Sequence, residues 1–196
     1  MNGGTTSSTN AVVAKRADAR RNEQALLDAA AKVFVAAGVD APVRAIAAEA
    51  GVGMGTIYRH FPTRADLVIA VYRHQIDALA DAGTTLLASR GNPYQALAQW
   101  LELFVDLLVT KHGLAGMLQS DRAGFDVLHQ FFLDRLLPVC SQLLEAAADA
   151  GSIRDDVTAY ELLRGIGNLC VGGDDDYDAR RMVGLMVDGL AGRRAT

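Results

Sequence analysis

The stretch Pro42–Phe61, PVRAIAAEAGVGMGTIYRHF, constrains the fold more than any other part of the chain. Ile46, Ala47 and Ala50 recur at helical spacing and give a short helix one apolar face. Gly51 comes next, where a chain reversing after a helix commonly needs positive φ. Ala47 is small enough for a second helix to cross closely, Val52 plugs the corner, and Gly53 is a tolerated N-cap. Ile57 then faces inward and leaves Thr56, Tyr58, Arg59 and His60 outside. A short helix bearing hydrogen-bonding and cationic groups on its outer face suits the major groove of duplex DNA. Taken alone, A-x-x-x-G-V fits an ordinary helical hairpin as well.

The surrounding chain reads as helix throughout. Leu26, Leu27, Ala30, Val33, Phe34 and Ala37 form one buried stripe over about 20–37, and Gly38 stops it. Thr63 and Asp66 make a T-x-x-D capping box that opens a long helix to about Ser89, carrying Leu67, Val68, Val71, Tyr72, Ile76 and Leu79. Asn92-Pro93 opens another to about Lys111. A short helix is expected over 114–119 and a long one over about 123–150, bent at Pro138, whose ring displaces a backbone hydrogen bond. Thr158 and Glu161 repeat the capping box for a helix to about Cys170, and the run Asp174–Asp176 precedes a last helix over 178–190. No alternating strand pattern and no internal repeat occurs, so the expected fold is all-α.

The flanks of the first motif bring in a resemblance. LLDAAAKVFVAAGVDAP, then VRAIAAEAGVGMGTIYRHF, then PTRADLVIAVY, spanning about 20–71, resemble the TetR family of bacterial transcriptional regulators. The C-terminal segments LDRLLP and AGSIRDDVT are similar to its SbtR-like branch. The resemblance implies a three-helix helix-turn-helix domain joined by a long helix to a larger helical domain for effector binding and dimerisation. The expected boundaries are 1–17 for a disordered basic arm, 18–66 for the DNA-binding domain and 67–196 for the rest. Lys15, Arg16, Arg20 and Arg21 in or near that arm either lie along phosphates or a minor groove or form a solvated leader.

The same resemblance implies the DNA-binding residues. Arg44 stands where relatives place a group reaching a base or phosphate, and a guanidinium can take guanine O6 and N7 together. Thr56 would meet a base edge. Tyr58 matches the family's phosphate-contacting tyrosine, Arg59 and His60 complete that face, and Arg64 matches a basic residue that meets phosphate beside a helix N-terminus. Gly53 departs from the serine common in relatives, which removes a hydroxyl, and Met54-Gly55 leaves the first turn poor in hydrogen-bonding groups. Charge agrees modestly: residues 1–66 hold 8 Lys/Arg and 6 Asp/Glu, net +2, whereas 67–196 hold 11 and 17, net −6.

A single head makes few contacts, so two heads about 34–36 Å apart on a near-palindromic double-stranded operator are expected. The stripes Leu162, Leu163, Ile166, Leu169 and Met182, Leu185, Met186, Gly189, Leu190 serve either a homodimer interface of the last two helices or an intramolecular core, and the resemblance favours the dimer. Trp100, Phe104, Met117, Phe125 and Phe132 read by themselves as packed core. In relatives this region encloses a small-molecule effector, which would make them ligand-binding residues, with His129 and Asn168 orienting the ligand.

The expected function is a ligand-released repressor. An activator with the same head, or a helix-turn-helix scaffold for protein interactions, are the alternatives, and Arg44, Tyr58, Arg59 and Arg64 together weigh against the scaffold. Enzyme, metal-ion and cofactor chemistry are not expected: there is no phosphate loop, nucleophile elbow or zinc spacing, and three adjacent carboxylates do not converge on one ion as spaced ligands do. The N-terminus lacks an apolar signal core, no apolar run reaches membrane-spanning length, and Cys140 and Cys170 are far apart, all pointing to the reducing cytoplasm.

Overall fold

The computed structural model describes the backbone of residues 5–89, 91–109, 122–170 and 177–191, and among these the side chains outside 5–16, 109 and 122–125. The described residues form helices joined by short turns, with no strand. They are α1 (Thr5–Ala37), α2 (Val43–Ala50), α3 (Met54–His60), α4 (Arg64–Ala88), α5 (Pro93–Val109), α6 (Arg122–Asp149), α7 (Ala159–Leu169) and α8 (Ala179–Leu190). The helix expected over 114–119 and the run Asp174–Asp176 lie outside the described residues. No helix among the described residues is long and apolar enough to cross a membrane.

The chain divides into two compact units, Met1–His74 and Gln75–Thr196, and the boundary falls inside α4. In the first unit α1 packs on α2 and α2 on α3. Leu26, Ala30 and Phe34 of α1, Ile46 and Ala47 of α2, Ile57 of α3 and Leu67, Val68 and Val71 of α4 form its buried core. Helix α1 begins at Thr5, so the leader expected to be a disordered arm is helical from that point. The physical reason is that nothing between Thr5 and Ala37 breaks a helix. Residues 14–27 are rich in Ala, Lys, Arg, Glu and Gln, so a helix nucleated on the apolar stripe extends backwards.

In the second unit α5 packs on α6 and α7, α6 on α7, and α7 on α8. Leu97, Trp100, Leu101, Leu136, Leu143, Leu162 and Ile166 are completely or almost completely buried. Gly83 of α4 sets how closely these helices meet. A Cβ built there would lie 2.2 Å from Val139 Cγ1 and 2.7 Å from Trp100 Nε1, so any larger residue would force these side chains or helices to shift. Helix α6 continues through Pro138 to Asp149. Helix α7 opens on the full Thr158/Glu161 capping box, with each side chain bonded to the other's backbone N–H.

Candidate nucleic-acid interface and effector cavity

The turn between α2 and α3 is a Schellman motif. Gly51 sits in the left-handed region at φ 66°. Its N–H donates to the Ala48 carbonyl at 3.3 Å, and the Val52 N–H donates to Ala47 at 3.0 Å, which satisfies the last carbonyls of α2. Gly53 then caps α3 in an extended conformation, φ −74° and ψ 148°. With Ile57 1% exposed and pinned in the core, the orientation of α3 about its axis is set.

That orientation divides the outer face expected from the sequence. Tyr58, 50% exposed, and Arg59 face solvent, as does Arg44 on α2. Thr56 and His60, one turn apart, instead line a groove with Asn22, Glu23 and Leu26 of α1, enclosing about 410 Å³. Thr56 is half-buried there and His60 stays exposed. Met54 is 51% exposed. Its thioether, set aside for lacking hydrogen-bonding capacity, therefore stands on the surface of α3, and only its place in the first turn signalled it.

Arg64 is engaged within the protein. Its Nη2 donates to the carbonyl of Val39 and, at 2.7 Å, to that of Ala41, clasping the loop before α2 to the start of α4. The N-terminus of α4 is also already served. Thr63 Oγ1 accepts from the Asp66 N–H at 3.1 Å, and an Asp66 carboxylate oxygen accepts from the Thr63 N–H at 3.0 Å and from its hydroxyl at 2.7 Å. The sequence showed a basic residue beside a helix end; that two carbonyls 23 and 25 residues earlier would claim it required the fold.

In the second unit a cavity of about 250 Å³ opens between α5, α6 and α7. Four of the expected ligand residues, Phe104, His129, Phe132 and Asn168, line it together with Tyr160, Leu163 and Arg164. Trp100 is not among the lining residues. It is fully buried, its indole N–H donates to the Leu79 carbonyl at 2.9 Å, and its ring stacks on Phe104 at 6.0 Å and 5°. Phe104 in turn meets Phe132 at 5.8 Å, and Phe132 stacks on His129 at 6.2 Å. Met117 lies outside the described residues, and of Phe125 only the helical backbone is described.

The two C-terminal stripes are also sorted by the packing. Leu162, Leu163 and Ile166 are buried within the chain itself, and Gly165 makes room for Met186, whose Cε lies 2.6 Å from where a Cβ would be. These three residues of the expected dimer stripe are intramolecular core, on the side of α7 turned to α5 and α6, whereas Leu169 is only half-buried. On α8, Val183, Val187 and Leu190 are buried, while Met182 and Leu185 are 39% and 57% exposed. The face of α8 carrying those two residues is left uncovered in the single chain.

A Schellman turn, a glycine-capped helix pinned by Ile57 and an exposed Tyr58–Arg59 pair define a helix-turn-helix protein. Residues 26–71 match the family model "Bacterial regulatory proteins, tetR family", and 92–192 match "Transcriptional regulator SbtR-like, C-terminal domain". The fold is similar to a TetR transcriptional regulator from Streptomyces coelicolor, with 34% identity, TM-score 0.71, and 86% of this chain and 97% of that one covered. It is likewise similar to a TetR regulatory protein from Mycobacterium vanbaalenii, with 35% identity, TM-score 0.69, and 89% and 98% covered. An HTH-type transcriptional regulator of Staphylococcus aureus is 41% identical over 63 residues, which is 32% of this chain and 34% of that protein's length. The chain belongs to the TetR family of regulators and carries an SbtR-like C-terminal domain.

Proposed function

We propose that the protein is a repressor that binds a near-palindromic operator as a homodimer and is released by a small molecule held between α5, α6 and α7. The single observation that carries this reading is the exposure of Tyr58 and Arg59 on a helix whose orientation the core sets through Ile57. Arg59 and Arg44 would read bases or neutralise phosphates, Tyr58 would fix register, and exposed Met54 could meet a thymine methyl. The uncovered Met182 and Leu185 on α8 support an isologous contact between two copies.

Release needs the ligand to favour a second arrangement of the protein. Moving a population from mostly bound to mostly free takes a differential affinity of about 5.5 kcal/mol. A physical route exists within the second unit: cavity-lining Phe104 stacks on Trp100, whose N–H holds Leu79 of α4. A ligand that shifts Phe104 would thereby act on α4. By linkage, operator DNA must weaken the ligand by the factor with which the ligand weakens DNA.

The test is fluorescence anisotropy against the DNA flanking the protein's own gene at stated salt, alongside light scattering. Saturable, salt-dependent binding by a dimer is expected. A stable monomer that leaves that DNA unshifted would refute the reading.

A further inference from the structure

The lining of the cavity between α5, α6 and α7 is graded in polarity. Its buried groups are apolar: Phe104, Phe132 and Leu163. Its exposed groups are polar: His129, Tyr160, Arg164 and Asn168. Such a cavity has a dry floor and a hydrogen-bonding rim, and its volume of about 250 Å³ lies just under the roughly 300–1,000 Å³ of sites for drug-sized ligands.

The sign of the rim is specific. Among the described residues none that lines it is acidic, although residues 67–196 carry a net −6. Another cleft in this unit, between α5 and α8, has the opposite character. It is lined by Glu102, Asp106 and Asp188, with Arg180 bonded to Asp106 at 2.5 Å. Arg135 and Arg154 are likewise paired, to Asp77 and Asp156, whereas Arg164 has no ion pair among the described residues. A guanidinium beside an apolar floor, with a tyrosine hydroxyl and an amide on the same helix, recognises a planar anion.

We infer that this cavity takes a small amphipathic monoanion, its apolar body against Phe104, Phe132 and Leu163 and its carboxylate at Arg164. The inference rests on the effector reading proposed above and specifies the chemical class of that effector. An organic cation of the same shape would meet Arg164 with no carboxylate among the described lining residues.

Three probes with eight-carbon skeletons and different heads test this: octanoate, its methyl ester and octylamine, titrated against the full-length protein. Trp100, the sole tryptophan, stacks on Phe104 and provides the fluorescence signal. Octanoate should bind tightest. Arg164→Gln should weaken octanoate by roughly fivefold or more, since an exposed pair is partly screened, and leave the ester within about twofold. Arg164→Glu should reverse the order of octanoate and octylamine. Arg164 is exposed, so both variants should keep the parent melting temperature. Equal binding of the three probes, preference for the amine, no octanoate binding, or indifference to both substitutions would each overturn the inference. Operator binding by the unliganded protein is measured separately, so failure of the ligand class is distinguishable from failure of the regulator reading.

Discussion

Arg64 and Ala41 are joined by a hydrogen bond of 2.7 Å from the guanidinium to the main-chain carbonyl, and the same nitrogen also serves Val39. The arginine thereby fastens the segment entering α2 to the first turn of α4. Arg64→Ala should destabilise the protein by about 1–3 kcal/mol, because two part-buried carbonyls lose a charged donor. If the residue positions the head rather than neutralising a phosphate, the slope of log K against log salt for operator binding stays unchanged. Urea unfolding and salt-dependent anisotropy check the two parts.

Arg59 should behave oppositely. It is exposed on α3, so Arg59→Ala should leave stability within about 0.5 kcal/mol. As a phosphate contact it would lower the salt slope by about one; as a base contact it would relax sequence preference at one position. Loss of neither would remove Arg59 from the interface.

Gly83→Ala should cost about 1–3 kcal/mol through overpacking, since its Cβ would press on Val139 and on the indole N–H bonded to Leu79. The lone tryptophan reports this directly: its emission should shift to the red relative to the parent protein, and thermal melts should fall in parallel.

Cys140 should be chemically inert in the native protein. Burial pushes its thiol up to about 12, so almost no thiolate forms at neutral pH. Burial also raises Cys170, with nearby Arg180 opposing the shift, so Cys170 should alkylate first. Mass spectrometry after iodoacetamide, with and without urea, should show labelling of Cys140 only on unfolding.

The capping box of α7 should show in acid. Hydrogen bonds from Thr158 hold the Glu161 carboxyl below its usual value. A lowered folded-state pKa stabilises the protein above the unfolded value of about 4.3 and loses that contribution as pH falls through the folded one. Glu161→Gln should therefore flatten the limb of a melting-temperature profile that falls below about pH 4.3.

The amino-acid sequence alone determined the local features of this protein. Glycine's freedom at 51, the apolar spacing of Ile46, Ala47 and Ile57, and the Thr-x-x-Glu and Thr-x-x-Asp pairs all act within one or two turns, where neighbouring residues settle the outcome. Family motifs were legible for the same reason. Tertiary structure decided what each polar or apolar group faces. It turned Thr56 and His60 toward α1 while leaving Tyr58 outside, committed Arg64 to carbonyls more than twenty residues away, buried Trp100 behind the cavity and left Arg164 on its rim. Helical periodicity names a face but not its neighbour. Only the packing of distant helices chooses between core, cavity and exposed surface.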